Sequence, residues 1–213
     1  MEASFWHKKW KSKDIAFHGS SPNPLLLRHF DMLRLDRGAR VFLPLCGKTL
    51  DIGWLLEQGF SVVGAELSEI AVEELFAELC LIPQRSELGQ LKRYRAAGLE
   101  IFVGDIFDLS AERLGMVDAV YDRAALVALP DNLRPAYTAM LKRVTNSAPQ
   151  LLINYDYQQN DMPGPPFSIS DVELSAHYDG EYHLTLLSSE AVLGGLKGQC
   201  AALEKVWLLQ PRS

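Results

Sequence analysis

The sequence predicts an α/β fold: a doubly wound, mostly parallel seven-stranded sheet with helices on both faces and an antiparallel pair at one edge. Three observations carry that expectation. Short apolar runs alternate with longer amphipathic ones along most of the 213 residues, the pattern of strands joined by right-handed helical crossovers. No repeat, low-complexity tract or long linker breaks the alternation, so a single domain over residues 1–213 is expected, with residues 1 to about 22 as an N-terminal segment. Near the C-terminus, two strand-like runs lack a full-length helix between them, which suits antiparallel pairing at the sheet edge.

Taken in order, Asn23-Pro24 reads as an N-cap followed by proline at the first helical position, opening a helix over 25–33. Residues 40–45 (RVFLPL) form the first strand, and 49–58 a helix that Gly59 stops. Residues 60–67 (FSVVGAEL) are the second strand, after which Ser68 caps a helix with Val72, Leu75, Phe76 and Leu79 on one face. The third and fourth strands fall at 99–103 and 117–121, the next helix at 131–144 and the fifth strand at 150–155. Residues 183–187 and 202–209 supply the edge pair. Two stretches stand outside the alternation. One is the polar segment 83–98, with Arg85, Lys92, Arg93 and Arg95; the other is the turn-rich 160–170 (NDMPGPPFSIS). The second follows the fifth strand, so it lies at the carboxyl end of the sheet, either as part of a substrate wall or as a surface connection.

Composition narrows the function classes. A chain this long buries roughly 70% of its unfolded surface on folding, so it needs no metal or disulfide staple. Apolar residues make up 48% and charged residues 23%, which excludes a disordered tail protein. The net charge of −6 lacks the general electrostatic footprint of a nucleic-acid partner. Three cysteines without a CxxC pair are the usage of a reducing compartment, not of a disulfide scaffold or zinc site. No secretory signal is visible, and the longest nearly apolar run, 124–130, is too short to span a bilayer. A cytoplasmic protein without a membrane partner is expected.

The chemistry concentrates at the strand ends. Gly47-Lys48-Thr49 invites a nucleotide-triphosphate loop, but that motif needs glycine five positions earlier, where Phe42 stands. One glycine also falls short of a dinucleotide fingerprint. The turn at Leu45-Cys46-Gly47 is then either a plain glycine turn or one that lets a small ligand approach the backbone. Glu66 lies 19 residues after Gly47, the spacing at which a carboxylate accepts hydrogen bonds from both ribose hydroxyls of an adenosine ligand. Asp105 follows the third strand, within reach of an adenine amino group. Either acid alone reads as a helix cap or a solvated loop end. Two at successive strand ends, with a glycine turn at the first, favour an adenosine site without pyrophosphate, and S-adenosyl-L-methionine is such a ligand. Trp6 and Trp10, four apart, read from spacing alone as one face of an amphipathic helix. Arg123 follows the fourth strand and Asp122; its guanidinium suits a carboxylate or a substrate anion, or an Asp122–Arg123 structural pair.

These residues carry a resemblance. The chain resembles the class I, Rossmann-like S-adenosylmethionine-dependent methyltransferases, and within them the bacterial-type thiopurine S-methyltransferase family. The similarity spreads over most of the chain. It is most specific at residues 6–18 (WHKKWKSKDIAFH), 43–51 (LPLCGKTLD), 63–68 (VGAELS), 105–109 (DIFDL), 121–128 (YDRAALVA) and 163–167 (PGPPF). Most class I enzymes carry a glycine-richer first turn; the proline and cysteine here match the narrower family.

The resemblance implies that Trp10, Leu45, Glu66 and Arg123 contact the cofactor and that Asp105 and Ile106 line the adenine. It makes Trp6 through Phe17 a lid over the ligands, with Phe17 facing an aromatic substrate and Arg123 shared between cofactor and substrate. Methyl transfer to sulfur is the implied reaction, with small aromatic or heterocyclic thiols as acceptors, selenium or tellurium compounds as the alternative, and a monomer as the acting unit. A sulfonium methyl is already activated, so alignment and exclusion of water supply most of the acceleration. No catalytic triad and no metal are expected. His18 and Asp14 are proton-acceptor candidates, although a lone histidine beside an aromatic residue is more often a packing or hydrogen-bonding residue, and Asp14 is similarly ambiguous. A non-catalytic S-adenosylmethionine-binding protein is the reading from another class. A nucleic-acid methyltransferase lacks its motif, since Asp122-Arg123-Ala124-Ala125 stands where Asn/Asp-Pro-Pro-aromatic belongs.

Overall fold

Parallel pairing organises the centre of the molecule. The computed structural model describes residues 3–13, 19 and 21–212. Nine strands among them form one sheet: β1 (Arg40–Pro44), β2 (Ser61–Glu66), β3 (Gln84–Leu88), β4 (Leu91–Ala96), β5 (Leu99–Val103), β6 (Ala119–Arg123), β7 (Gln150–Asp156), β8 (Tyr182–Ala191) and β9 (Leu203–Pro211). Their order is β3-β4-β5-β2-β1-β6-β7-β9-β8. β1 pairs in parallel with β2 on one side and β6 on the other, and the chain winds outward in both directions. That reversal opens a crevice outside the carboxyl ends of β1, β2 and β6, where open α/β sheets bind ligands.

The helices are α1 (Ala3–Lys11), α2 (Pro24–His29), α3 (Asp51–Glu57), α4 (Glu69–Glu78), α5 (Ala111–Leu114), α6 (Arg134–Thr145) and α7 (Asp171–Tyr178). Two apolar clusters sandwich the sheet. On one face Leu25 and Leu26 of α2, Ile52 and Leu55 of α3, and Val72, Leu75 and Phe76 of α4 pack on Val41, Val62 and Tyr121. On the other, Leu114 of α5, Tyr137, Leu141 and Val144 of α6, and Leu174 of α7 pack on Phe42, Val63 and Leu152. The doubly wound arrangement follows from strands buried on both faces. Capping fixes where the helices begin. The Asn23 side chain accepts from the Leu25 N–H with Pro24 in the first turn, and Ser68 accepts from the Ala71 N–H.

The strand count corrects the expected seven. Residues 83–98 are not an inserted polar segment but the β3–β4 hairpin, antiparallel to β5 and extending the sheet. Edge strands carry charge that resists pairing with other chains, and this hairpin uses its charges on α4. Lys92 pairs with Glu69, Arg85 with Glu73, and the Arg85 guanidinium lies 4.8 Å from the Tyr94 ring centre. A second correction shifts the fourth strand from 117–121 to Ala119–Arg123, which puts Asp122 and Arg123 inside the ladder. The short helix α7 was not expected. The antiparallel edge pair is present as β8 and β9, with β9 beside β7.

Candidate functional site

The crevice is built from five strand ends. β1 runs into Leu45, Cys46 and Gly47, where Leu45 at φ 47 and Gly47 at φ 55 both adopt the left-handed conformation. β6 ends beside Ala124, at φ 68. Non-glycine residues held there are costly and gather where a site over-determines the backbone; here they flank the switch point. Crowding explains Gly64 of β2. A Cβ at that position would lie 2.8 Å from the Cys46 sulfur and 2.7 Å from Ile101.

Glu66, at the carboxyl end of β2, is 6% exposed. Its Oε2 accepts from the Gly47 N–H at 2.8 Å and its Oε1 from the Ser68 N–H at 2.8 Å. Burial pushes its carboxyl above the usual range, opposed by the N–H groups of Ser68, Gly47 and Leu67. Each carboxylate oxygen keeps a lone pair beyond the bond it already accepts, so a vicinal diol can donate to both. The chemistry of this donor set fits a ribose. Burial and then the Glu66 charge hold the Cys46 thiol beside it well above the usual range, which disfavours the nucleophilic thiolate.

Trp10 is buried over the same turn. A Cβ on Gly47 would stand 3.2 Å from its Cζ2, so the six-membered ring of the indole packs close against the glycine at the carboxyl end of β1. Lys48 turns away from the crevice to Glu74 and Glu78 of α4, at 2.9 and 2.6 Å. That accounts for the Gly-Lys-Thr sequence without a phosphate. Beyond β5, exposed Asp105 accepts from the Phe107 N–H through Oδ1 at 3.0 Å. Ile106 is 2% exposed in the apolar core, so its side chain is packed among protein groups.

Arg123 closes the other side. Asp122 does not pair with it. Successive strand residues point to opposite faces, and Asp122 accepts from Tyr137 Oη at 2.7 Å and from the Leu126 N–H at 3.1 Å. Burial pushes the Asp122 carboxyl up to about 6. Among the described residues the half-buried Arg123 side chain makes no hydrogen bond or ion pair. Its charge is felt at Tyr121 and Tyr155, on the same sheet face. Phe17, His18 and Asp14 lie outside the described residues.

Several residues at this end were not singled out from the sequence. Asp51 is buried and joins Asn23 to Tyr121. Tyr155 donates to Glu204 Oε1 at 3.0 Å, and Lys205 bridges Asp156 and Asp171. Only Asp51 fell within a quoted motif; the others pair across 34 to 49 residues. The proline-rich loop does follow β7 at the carboxyl end. Between it and the loop after β6 lies a cavity of about 520 Å³ lined by Pro130, Arg134, Pro163, Phe167 and Glu173. Among the described residues no cluster of His, Cys, Asp or Glu could hold a metal, and no helix is long and apolar enough to cross a membrane.

A family model described as thiopurine S-methyltransferase matches residues 1–211. A thiopurine S-methyltransferase of Xanthobacter autotrophicus is 52% identical over 211 residues, 99% of each chain. One from Teredinibacter turnerae is 50% identical over 98% of this chain and 97% of its own. The chain belongs to the thiopurine S-methyltransferase family. Solved structures place the family's fold here among methyltransferases. A Burkholderia thailandensis 1,6-didemethyltoxoflavin-N1-methyltransferase with bound S-adenosylhomocysteine covers 98% of this chain and 87% of its own, at TM-score 0.65 and 15% identity. A TehB-like SAM-dependent methyltransferase of Corynebacterium glutamicum gives TM-score 0.58 at 14% identity, over 99% and 98%. At such identities the likeness concerns the fold.

Proposed function

We propose that this chain transfers the methyl group of S-adenosyl-L-methionine to the sulfur of small aromatic or heterocyclic thiols, the activity that names its family. The observation that carries the reading is the pairing of opposites across the switch point. A buried carboxylate, Glu66, has lone pairs left for a ribose diol, and a half-buried guanidinium, Arg123, has no protein partner among the described residues.

When bound, S-adenosylmethionine supplies an activated methyl group on a sulfonium. The protein's work is then binding, alignment and drying. Glu66 accepts from the ribose hydroxyls, while Asp105 and the main chain at Ile106 border the adenine. The Leu45–Gly47 turn admits the ligand to the backbone. Arg123 receives an anion, either the methionine carboxylate or the acceptor's thiolate, in the bidentate geometry its fork favours. Trp10, with α1, covers the turn and excludes water, and Phe17 is assigned to the acceptor's ring. Holding nucleophile and methyl in line is worth several kcal/mol. A monomer acting in the cytoplasm completes the reading; the free thiols at Cys46, Cys80 and Cys200 support a reducing compartment.

The test is mass spectrometry of 6-mercaptopurine incubated with S-adenosylmethionine and pure protein, against a no-enzyme control, with selenite and tellurite as further acceptors. Enzyme-dependent mercaptopurine heavier by one methylene supports sulfur methylation. Methylated selenium or tellurium alone would move the acceptor to those elements. Cofactor binding without turnover on any of them would leave a binding protein.

A further inference from the structure

The β7–β9 register sets Tyr155 directly opposite Glu204, with the phenol donating to Glu204 Oε1 at 3.0 Å. Both are half-buried, at the carboxyl end of β7. In the β6–β7 register Arg123 stands opposite Ile153, two residues before Tyr155, so all three side chains share the face that also carries Tyr121. Arg123 acts electrostatically on Tyr121 and Tyr155, and so does Glu204. The pair therefore belongs to the same polar patch as the Arg123 guanidinium, which has no side-chain partner among the described residues, and nothing in the assigned cofactor contacts uses it.

A thiol that is already ionised needs no base. A neutral heterocyclic thione does, since methylation of its sulfur must be matched by loss of a ring N–H proton. We propose that Glu204, reached through the Tyr155 hydroxyl, is the proton acceptor for neutral thione or thiol substrates at this site. The inference rests on the methyltransferase reading above and names the protonation class of acceptor that the site serves. The acceptor's sulfur forms the bond to the methyl carbon, and the old methyl–sulfur bond breaks with its electron pair left on the departing thioether. The ring proton passes to the Tyr155 oxygen as the Tyr155 proton passes to Glu204. Burial and the Glu204 charge keep the phenol protonated, which suits a relay and not a resident base.

Other charged groups face Glu204. Tyr155 lies on β7, Arg123 and Tyr121 on β6, and Glu190 stands opposite it on β8, itself paired with Arg28 of α2 beside His29. Glu204→Gln keeps an oxygen for the Tyr155 bond but cannot take a proton; Tyr155→Phe removes the relay. With 6-mercaptopurine below its own ionisation, each variant should lose about 10²-fold or more in kcat, the scale of general-base catalysis. The deficit should narrow to within about threefold for 2-nitro-5-thiobenzoate, whose thiolate is ionised at neutral pH, and for mercaptopurine at alkaline pH. Equal losses on both acceptors would mark a structural tie and overturn the relay, as would wild-type turnover of mercaptopurine by Glu204→Gln. Wild-type protein that binds S-adenosylmethionine but methylates neither acceptor would instead overturn the methyltransferase reading, and the relay with it.

Discussion

Tyr121 donates its phenolic hydrogen to Asp51 Oδ2 at 3.0 Å, while Asp51 Oδ1 accepts the Asn23 N–H at 2.7 Å. One buried carboxylate thus joins three parts of the site: the root of the N-terminal segment, the helix that follows the cofactor turn, and the strand that ends in Arg123. Asp51→Asn can accept one of these bonds but turns its amide toward the other donor. We expect a loss of about 1–3 kcal/mol in stability, the cost of an unsatisfied buried group. Denaturant unfolding with an unchanged m-value measures it, and wild-type stability would show that the junction is not held by this bond.

Glu66→Gln exchanges an acceptor for a donor at a position where backbone N–H groups already point inward. Calorimetric affinity for S-adenosylmethionine should fall by about 1.5–3 kcal/mol, the scale of a hydrogen bond to a charged group, which is roughly 10- to 150-fold. Retained affinity would remove Glu66 from the ribose role.

Asp122 sets a pH dependence of stability. Its folded carboxyl sits at about 6, above the ordinary 3.8, because burial disfavours the charge. A raised acid contributes stability that is complete below the unfolded value and is lost as pH climbs through the folded one. The window therefore runs from about pH 4 to 6, and a shift of about two units is worth about 3 kcal/mol. Asp122→Asn does not titrate. The stability gap between wild type and variant, followed by thermal melts from pH 4 to 8, should shift in the variant's favour across that window. A gap that is flat with pH would count against a buried, raised carboxyl.

Lys205 holds both feet of the proline-rich loop. Its Nζ donates to Asp156, where β7 ends, at 2.7 Å, and to Asp171, where α7 begins, at 2.6 Å. The amine is buried but its partners are part-exposed, so solvent screens the interaction. Lys205→Met should cost about 1–2 kcal/mol, less than a fully buried pair. Its specific signature is a higher KM for the thiol with calorimetric cofactor affinity kept, and partial recovery in Lys205→Arg. A uniform loss of both affinities would mean that the loop has no particular role in acceptor binding.

Local periodicity and capping made most of the central sheet legible. β1, β2, β5 and β7, the Asn23 and Ser68 caps and the C-terminal strand pair stand where the sequence pattern puts them, to within four residues at any end. The β3–β4 hairpin escaped because its outward side chains are charged, and a strand whose polar residues pair with α4 reads like a loop until α4 is in place. Helix α7 escaped because it is short and keeps Val172 exposed, which blurs its apolar stripe.

What the sequence by itself determined is the α/β class, the family and the acids at strand ends, since each depends on residues near one another in the chain. Tertiary structure alone decided that Asp122 turns from Arg123 to Tyr137, that Lys48 serves α4, and that Tyr155 meets Glu204 across 49 residues. Those partnerships follow from which face each strand residue points to and which strand lies beside it. A one-residue slip of strand register reverses the first, and only the closed ladder fixes the second.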